Sequence, residues 1–455
     1  RERIGGRCRC GETGIVQRRS RFAFALRDLH VEAVFLCEER FRIRFETAKR
    51  LGYTLLAVGT GFGWGATFLS GDVRSGLTAK ALAFAVWIYL LAGRGMFWLA
   101  RERDGGEGTL AVWPSVTAIV PARDEAETIA QSIGSLLEQD YPGAFHIILV
   151  DDQSTDGTAE IARGLDATGR LSVLSGAPLP EGWTGKLWAV RQGITHAAGG
   201  SPDYLWLTDA DIVHTTDNLR ALISRAERND LVLVSLMAKL RCEDFAERFL
   251  IPPFVFFFAM LYPFDWINRK ENPLAAAAGG CMLVKREALE QAGGIESVRH
   301  EIIDDCALAR RMKRIGGIWL GLTKRAVSVR RYPRVSDVGR MVSRSAYAEL
   351  HYSPMRLVGA IVGMALVFAA PAVIALLPAD LVGWKAGLIA ATAWMAMVGA
   401  MQPMLHFYRR SVFWGFALPL AGAIYAAFTL NSAIQYWRGR GGLWKGRVQA
   451  LTRAT

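Results

Sequence analysis

Three long apolar segments near the C-terminus most constrain what this chain can fold into. They cover 357–377, 386–405 and Val412–Trp437, and polar residues interrupt them only lightly. A helix of about 20 apolar residues spans a bilayer, and soluble α/β domains rarely need such runs. We therefore expect membrane insertion at this end of the chain.

Two more apolar segments, 51–71 and 77–100, are candidates for membrane helices near the other end. The first is uncharged but rich in glycine. The second is apolar apart from Lys80 and Arg94, and its aromatic residues lie near its ends, as is typical of membrane interfaces. Both are long enough to span, and a buried hairpin in a soluble domain is the alternative. The basic arm before them, 1–50, is expected to be neither a folded module nor a signal peptide.

Charge and cysteine content indicate the surroundings of the chain. Lys and Arg outnumber Asp and Glu by 54 to 42, which gives a formal net charge of +12. Because the excess lies beside the apolar runs, we expect an anionic membrane surface as partner and no nucleic acid. The 6 cysteines are scattered without a CxxC pair. That pattern argues against a zinc site or a disulfide framework and fits a reducing compartment.

The region 116–322 differs, because it is soluble in composition and alternates apolar strands with helical patterns. Alternation at this spacing predicts an α/β fold with a mostly parallel, doubly wound sheet. The predicted strands are 116–121, 147–151, 171–174 and Tyr204–Thr208, and the predicted helices are 124–139, 155–165, 186–197 and Asn218–Arg228.

The predicted strand Tyr204–Thr208 leads directly to two carboxylates, Asp209 and Asp211. Alternation along an extended backbone would put both on one side. Paired carboxylates at the carboxyl end of a buried strand suit a hard divalent cation, Mg2+ or Mn2+. Ligands of open α/β sheets bind at that same end. A surface turn in which the aspartates cap the next helix is the alternative.

Polar motifs also follow the first two predicted strands. Pro121, Ala122, Arg123 and Glu125 form a loop suited to embrace a nucleotide base and ribose, or else a plain helix N-terminus. Asp152 follows the second strand, with Ser, Thr and Gly opening a helix. That arrangement suits the polar edge of a base, and a plain turn with an N-cap is the alternative.

Lys186 and a late acidic pair complete the polar positions. Lys186 stands at the start of the third predicted helix, where a diphosphate binds well, although a solvated surface lysine fits the same pattern. Asp304 and Asp305 begin a later helix and either favour its N-terminus or supply a general base. An inverting sugar transfer needs one carboxylate to take the acceptor's proton, while a metal neutralises the departing diphosphate.

Taken in chain order, these motifs resemble the family 2 glycosyltransferases with a GT-A fold, over about residues 115–330. The resemblance implies that Asp152 binds the base of a nucleotide sugar. It also implies that Asp209 and Asp211 form the metal motif, with Asp211 the direct ligand. By the same resemblance, Asp305 is the catalytic base and Asp304 its partner. The family usually has Glu-Asp where this chain has Asp-Asp.

A closer resemblance is to the hopanoid-biosynthesis-associated glycosyltransferases. It rests on the stretches 113–116, 120–125, 182–188 and 438–447, together with an N-terminal span and a cluster of C-terminal spans. The sequence lacks the Gln-x-x-Arg-Trp motif of processive polysaccharide synthases, which favours a single transfer. The resemblance implies an inverting, metal-dependent membrane enzyme. Such an enzyme moves a sugar from a UDP-linked donor to a hydroxyl of a membrane lipid, with a hopanoid as the first candidate.

Other functions stay open at this point. The acceptor could instead be a polyprenyl phosphate, a glycerolipid or a carotenoid-type lipid. A catalytically inactive membrane scaffold is the alternative from another class, and the retained acidic positions weigh against it. A nucleotidyltransferase shares the fold, but the late acidic pair and the apolar segment 249–264 argue against it. That segment, which Pro252 and Pro253 are expected to break, is either core or an interfacial element that admits a lipid acceptor.

The sequence predicts six regions: a basic arm, an N-terminal transmembrane region, the GT-A domain, a basic membrane-proximal segment, C-terminal transmembrane helices and a basic tail. They cover 1–50, 51–100, 115–330, 331–356, 357–437 and 438–455, respectively.

The GT-A domain is expected on the cytosolic face of a bacterial inner membrane, because nucleotide sugars are cytosolic. The basic segment 331–356 fits that orientation under the positive-inside rule. Val412–Trp437 creates a conflict, since one crossing would place the basic tail outside. A full crossing is the favoured path, and a segment that dips in and returns around Pro419 and Gly422 is the alternative.

Overall fold

The computed structural model describes residues 82–105, 108–166, 168–442 and 445–446. The predicted N-terminal arm, the span candidate 51–71 and the first five residues of 77–100 lie outside these residues. Most of the basic tail beyond residue 442 lies outside them as well.

Within the described residues, an eight-stranded mixed sheet forms the centre of the soluble region. Its strands are β1 (Val116–Ala122), β2 (Phe145–Asp151), β3 (Leu171–Ser175), β4 (Tyr204–Thr208), β5 (Ile212–His214), β6 (Leu231–Lys239), β7 (Cys281–Lys285) and β8 (Gly317–Ser328). The strand order is β3-β2-β1-β4-β7-β6-β8-β5. β3, β2, β1 and β4 are mutually parallel, and so are β6 and β8, whereas β7 and β5 pair antiparallel with their neighbours.

Helices connect these strands and follow them toward the C-terminus. They are α1 (Leu82–Gly93), α2 (Ile129–Leu137), α3 (Thr158–Arg163), α4 (Gly185–Ala197), α5 (Asn218–Arg228), α6 (Phe245–Leu261), α7 (Phe264–Asn268), α8 (Arg286–Gln291), α9 (Asp304–Ile315), α10 (Val335–Ser343), α11 (Ala346–Glu349), α12 (Pro354–Leu376), α13 (Ala379–Val382), α14 (Trp384–Phe407) and α15 (Leu418–Trp437). Short 3-10 turns cover Phe97–Leu99, Ala198–Gly200, Ile295–Val298 and Val412–Ala417.

The predicted α/β class is confirmed, and each of the four predicted strands and four predicted helices has a counterpart. The first helix begins at Ile129 and not at residue 124, because Asp124 adopts a left-handed conformation with φ 49°. Its amide donates to the Ser154 hydroxyl, and its carboxylate accepts from the Thr155 amide, each at 2.9 Å. Asp124 therefore links two loops and does not open a helix.

The order in which strands are added to the sheet reverses next to β1. It proceeds from β1 outward to β2 and β3 and then returns to place β4 on the other side of β1. The carboxyl ends of β1 and β4 diverge at this switch point, which is where open α/β sheets bind their ligands. The loops after these two strands carry the polar motifs that the sequence singles out.

Two apolar cores cover the sheet. One face packs on α2 and α5 through residues such as Ile133 and Leu222. The other face packs on α4, α6 and α9, and the same apolar cluster continues into α12, α14 and α15 through Phe368, Met397 and Tyr425. The sheet domain and the candidate membrane helices therefore share one continuous core.

The prediction that Pro252 and Pro253 break the apolar segment is wrong. Helix α6 runs without interruption from Phe245 to Leu261, and a capping box of Asp244 and Glu247 starts it. A proline inside a helix costs about 3 kcal/mol, so two cost roughly 6 kcal/mol. Eleven residues of α6 are buried, and each large apolar side chain among them contributes roughly 1.5–3 kcal/mol. Burial therefore outweighs the proline penalty, and α6 is a core helix.

Three C-terminal segments, Pro354–Leu376, Trp384–Phe407 and Val412–Trp437, are long and apolar enough to cross a membrane. Near the N-terminus, by contrast, α1 ends at Gly93 and not at residue 100. It ends there because Arg94 turns away to donate to the carbonyls of Met260 and Leu261 at the end of α6.

Two aromatic contacts of Val412–Trp437 describe where its ends lie. Near its start, Trp414 stacks on Phe249 of α6, with ring centroids 5.9 Å apart. Near its end, Tyr436 stacks at 4.5 Å on Tyr352, which directly precedes α12. Both α6 and the start of α12 adjoin the sheet domain. Both ends of the segment thus contact elements that adjoin the sheet domain, as the dip-and-return alternative requires. Its path through the membrane stays a prediction.

We predict that the basic tail and the sheet domain lie on the same side of the membrane. In sealed vesicles, a protease-sensitive tag inserted after the exposed Gly199 and a second tag fused after Thr455 should be cut in the same vesicle orientation. Cleavage of the two tags in opposite orientations would show that Val412–Trp437 crosses completely.

Candidate functional site

A cleft opens at the switch point between β1 and β4. Its lining includes Pro121 from β1, Lys186 from α4, Asp209 after β4, Gly279 before β7 and Asp304 at the start of α9. The antiparallel pairing of β4 with β7 brings Gly279 here, because Thr208 lies opposite Cys281. Residues separated by more than 180 positions in the sequence thus share one small cleft.

Asp209 and Asp211 do not follow the predicted strand alternation. The chain turns directly after β4, and the Ile212 amide donates to the Asp209 carbonyl at 3.2 Å. The two carboxylates consequently have different cationic partners, Lys186 for Asp209 and Arg330 for Asp211. The buried His214 contacts the residue before this turn, because its Nε2 lies 2.9 Å from the Thr208 hydroxyl.

Asp211 is the more buried of the two and is bound from β8. Its Oδ2 accepts from the Ser328 hydroxyl at 2.8 Å and from Arg330 Nε at 3.1 Å. Arg330 Nη2 also donates to Glu125 Oε1 at 2.6 Å. Burial lowers the pKa of Arg330, but Asp211 and Glu125 outweigh it and raise that pKa above its ordinary value. Arg330 therefore joins the carboxylate of Asp211 to that of Glu125 in the loop after β1.

Lys186 is not the solvated surface lysine that the sequence also allowed. Its Nζ lies 2.8 Å from Asp209 Oδ1 and 3.6 Å from Asp304 Oδ2. Burial opposes the charge of the ammonium, but the carboxylates of Asp209 and Asp304 outweigh it and raise the pKa of Lys186. Lys186 thus stays charged and joins the acidic motif after β4 to the late acidic pair.

Asp305 lies next to this bridge in a partly buried position. Its Oδ2 accepts from the Gly279 amide at 2.8 Å, and its Oδ1 accepts from the Cys306 amide at 2.7 Å. Burial, together with the neighbouring carboxylate of Asp304, raises the pKa of Asp305 to about 6, although Lys186 and these amides oppose the shift. A carboxyl with a pKa near the working pH is suited to accept a proton.

The expected donor loop lies on the same edge of the sheet. Pro121 and Ala122 are the buried end of β1. Arg123 Nη1 donates to the Asp152 carbonyl at 2.5 Å and lies 3.9 Å from the Asp152 carboxylate. Glu125, which is mostly buried, accepts from Arg330. The structure therefore brings the motifs after β1, β2 and β4 together.

Several residues of this site were not predicted from the sequence. Gly279 has a role because a Cβ there would lie 3.2 Å from Lys186 Nζ and 3.3 Å from Asp305 Oδ2. The Gly-Gly pair before the apolar stretch of β7 was the available signal. Ser328 ends β8, and Arg330 follows it two residues later. The available signal was a cation placed just beyond a strand. The tail residue Lys445 also reaches the donor loop.

The carboxylates are too few for a preformed metal cage. Within the described part of the chain, no group of three or more His, Cys, Asp or Glu side chains is arranged to hold a metal ion. Mg2+ typically binds one or two carboxylates and completes its shell with water and substrate phosphates. Asp209 and Asp211 fit a divalent cation that binds together with a diphosphate.

Comparison with known proteins finds similarity over part of this chain. Residues 117–293 match the family model for glycosyl transferase family 2. A 4,4'-diaponeurosporenoate glycosyltransferase of Staphylococcus aureus is 37% identical over 98 residues, which are 22% of this chain and 24% of that protein. The same enzyme of another strain is 35% identical over 112 residues, 24% of this chain and 28% of its own length. The match thus spans about a quarter of these relatives.

Two solved structures are similar to parts of this chain, both with TM-scores below 0.5. A mannosyltransferase from Pyrobaculum calidifontis, in complex with GDP-Man and Mn2+, is 20% identical with a TM-score of 0.49 and covers 83% of this chain and 100% of its own. Glucosyl-3-phosphoglycerate synthase from Mycobacterium tuberculosis, in complex with Mg2+ and uridine-diphosphate, is 20% identical with a TM-score of 0.36 and covers 52% and 79%.

We predict that Asp305 makes the protein less stable as the pH rises. An unfolded aspartate titrates at roughly 4, whereas the pKa of Asp305 in the fold is about 6, so the folded state binds more protons between these values. Its stabilising contribution is complete below about pH 4 and is lost as the pH rises through about 6. The unfolding temperature of Asp305→Asn should fall less than that of the wild type between pH 4.5 and 7. Equal falls would contradict the raised pKa.

Proposed function

Because residues 117–293 match the family model for glycosyl transferase family 2, we propose that this protein transfers a sugar from a nucleotide-sugar donor to a membrane lipid. The observation that carries the proposal is the position of Lys186. One ammonium lies within 3.6 Å of both Asp209 and Asp304, so the acidic motif after β4 and the late acidic pair belong to one site. That combination suits a donor diphosphate on one side and a proton acceptor on the other.

The donor binds at the switch point in this proposal. The loop of Pro121, Ala122, Arg123 and Glu125 holds the nucleoside, with Asp152 at the base. Lys186 binds the diphosphate from the start of α4, where a helix N-terminus adds favourable dipoles. The UDP identity of the donor follows from the sequence resemblance.

Asp211, assisted by Asp209, would hold Mg2+ or Mn2+ together with the diphosphate. A bound divalent cation supplies neutralisation of the charge that develops on the departing nucleoside diphosphate. Arg330 and Lys186 are the cations that now neutralise these two carboxylates. The site is therefore already built for positive charge at both positions.

Asp305 is the general base, and Asp304 is its partner. As the acceptor oxygen bonds to the anomeric carbon, the bond from that carbon to the diphosphate breaks and the acceptor proton passes to Asp305. The amides of Gly279 and Cys306 orient the carboxylate. Asp304 raises the pKa of Asp305, which makes it a stronger base. Attack on the face opposite the leaving group gives inversion.

The acceptor reaches this base from the membrane side. One apolar cluster includes Cys306, Ala307 and Leu308, beside Asp305, and extends through α6 to the candidate membrane helices. A hydrophobic acceptor suits these apolar surroundings. A hopanoid hydroxyl is the first candidate because of the sequence resemblance. A carotenoid-type acceptor is the second candidate, favoured by the relatives named for diaponeurosporenoate. The sheet domain then faces the cytosol of a bacterial inner membrane, where nucleotide sugars occur.

We predict that Asp211→Asn abolishes sugar transfer and Mn2+-dependent binding of UDP while the fold persists. The substitution removes the anionic ligand but keeps a side chain of the same size. Calorimetric titration with UDP, with and without Mn2+, measures the binding, and transfer to extracted membrane lipids measures the activity. Unchanged turnover in this variant would remove the proposed metal site.

Asp305→Asn should retain binding of UDP and Mn2+ and lose transfer, because only proton abstraction is removed. In the wild type, transfer should fall as the pH drops through about 6, since the base must be deprotonated. Single-turnover assays across this pH range make the comparison. An active Asp305→Asn beside an inactive Asp304→Asn that still binds donor would reverse the two roles.

A further inference from the structure

The C-terminal tail returns to the donor loop through one residue, Lys445. Its Nζ lies 2.9 Å from Glu125 Oε1 and donates to the Asp124 carbonyl at 2.8 Å. Its own carbonyl accepts from Arg123 Nε at 3.4 Å. Three consecutive residues of the loop thus hold the side chain and the backbone of one residue more than 300 positions away.

Lys445 is the outer member of a chain of alternating charges. It binds Glu125, Glu125 binds Arg330 at 2.6 Å, and Arg330 binds Asp211 at 3.1 Å. Glu125 is only 9% exposed, so its charge requires a cationic partner. It has two such partners, and the second comes from the tail. The tail is therefore connected to the acidic motif through two intervening side chains.

The second cation matters when a divalent ion binds at Asp211. Like charges repel, so Arg330 and the ion cannot both remain at the same carboxylate oxygen without a cost. Arg330 is then free to turn to the donor diphosphate, which also draws it from Glu125. With Lys445 in place, Glu125 keeps a partner throughout. Without it, Arg330 would leave a mostly buried carboxylate without a cationic partner, which opposes its release.

We propose that Lys445 is a positioning residue of the donor site. It fixes Glu125 and the loop of residues 123–125, and it thereby releases Arg330 from Glu125 for the diphosphate of the donor. The inference rests on the proposed function and extends it to the stretch 438–447. This stretch lies outside the sheet domain. It also requires the tail to lie on the side of the sheet domain, in agreement with the contacts of Val412–Trp437.

The test is binding of UDP in the presence of Mn2+ to the full-length protein in detergent or lipid. Lys445→Met keeps most of the side-chain length and removes the charge. A partly buried ion pair of this kind contributes about 1 kcal/mol, so the dissociation constant should rise about fivefold. Lys445→Arg should restore most of the affinity. Arg440→Met is the matched control, because Arg440 is exposed and has no ion pair within the described residues.

Kinetics separate this positioning role from a merely structural one. In Lys445→Met the KM for the donor should rise about fivefold, as the binding constant does, while kcat and the KM for the lipid change little. A second substitution, Glu125→Gln, should make the effect of Lys445→Met disappear, because the two residues then no longer interact. The unfolding temperature of Lys445→Met should stay close to that of the wild type.

Three results from the single variants would overturn this proposal and leave the proposed function standing. They are unchanged donor affinity in Lys445→Met, an equal loss in Arg440→Met, and tighter binding in Lys445→Met, which would make the tail a cover over the site. Additive effects of Glu125→Gln and Lys445→Met would overturn it as well. If the wild type does not bind UDP in the presence of Mn2+, the proposed function is wrong, and this inference is then wrong as well.

Discussion

The bridge that Lys186 forms between Asp209 and Asp304 is the interaction on which the site depends. Several carboxylates converge on one cleft, and without a cation between them their repulsion would open it. The bridge is possible because β7 pairs antiparallel beside β4, which brings Gly279 and the start of α9 to the switch point. The sheet topology and the charge balance therefore specify the same geometry, and neither alone would create the cleft.

The continuous core between the sheet domain and the C-terminal helices has a functional consequence. In a soluble transferase, the apolar surface next to the proposed base could be exposed to water. Here α6 and α9 connect the apolar residues beside Asp305 to the candidate membrane helices. Helix α6 keeps two prolines at its centre because burial on both sides outweighs their cost. The same packing holds Val412–Trp437 against the sheet domain, so the tail reaches the donor loop. In the proposed function, lipid access and donor binding therefore both depend on this one packed unit.

The sequence predicted the parts of this structure that depend on local pattern. Alternating apolar runs located β1 to β4, and strand ends located Asp152, Asp209 and the loop after β1. Residues that act through long-range pairing were missed. In the sequence Arg330 is one of many basic residues near the apolar segments, and only the position of β8 places it at Asp211. Gly279 likewise has no recognisable role in the sequence, because its position depends on the pairing of β7 with β4. The side-by-side geometry expected for Asp209 and Asp211 was wrong, because the chain turns immediately after Thr208. The roles of the individual site residues remain predictions.

The central claim is that the donor diphosphate and its metal bind at the switch point between the carboxylates and the base. The most direct measurement is an anomalous-difference map from crystals of this protein grown with Mn2+ and UDP. The account predicts a manganese peak in contact with Asp211 and the diphosphate, with Arg330 withdrawn from that carboxylate. A manganese peak bound elsewhere, with the ion pair between Arg330 and Asp211 intact beside bound UDP, would contradict it.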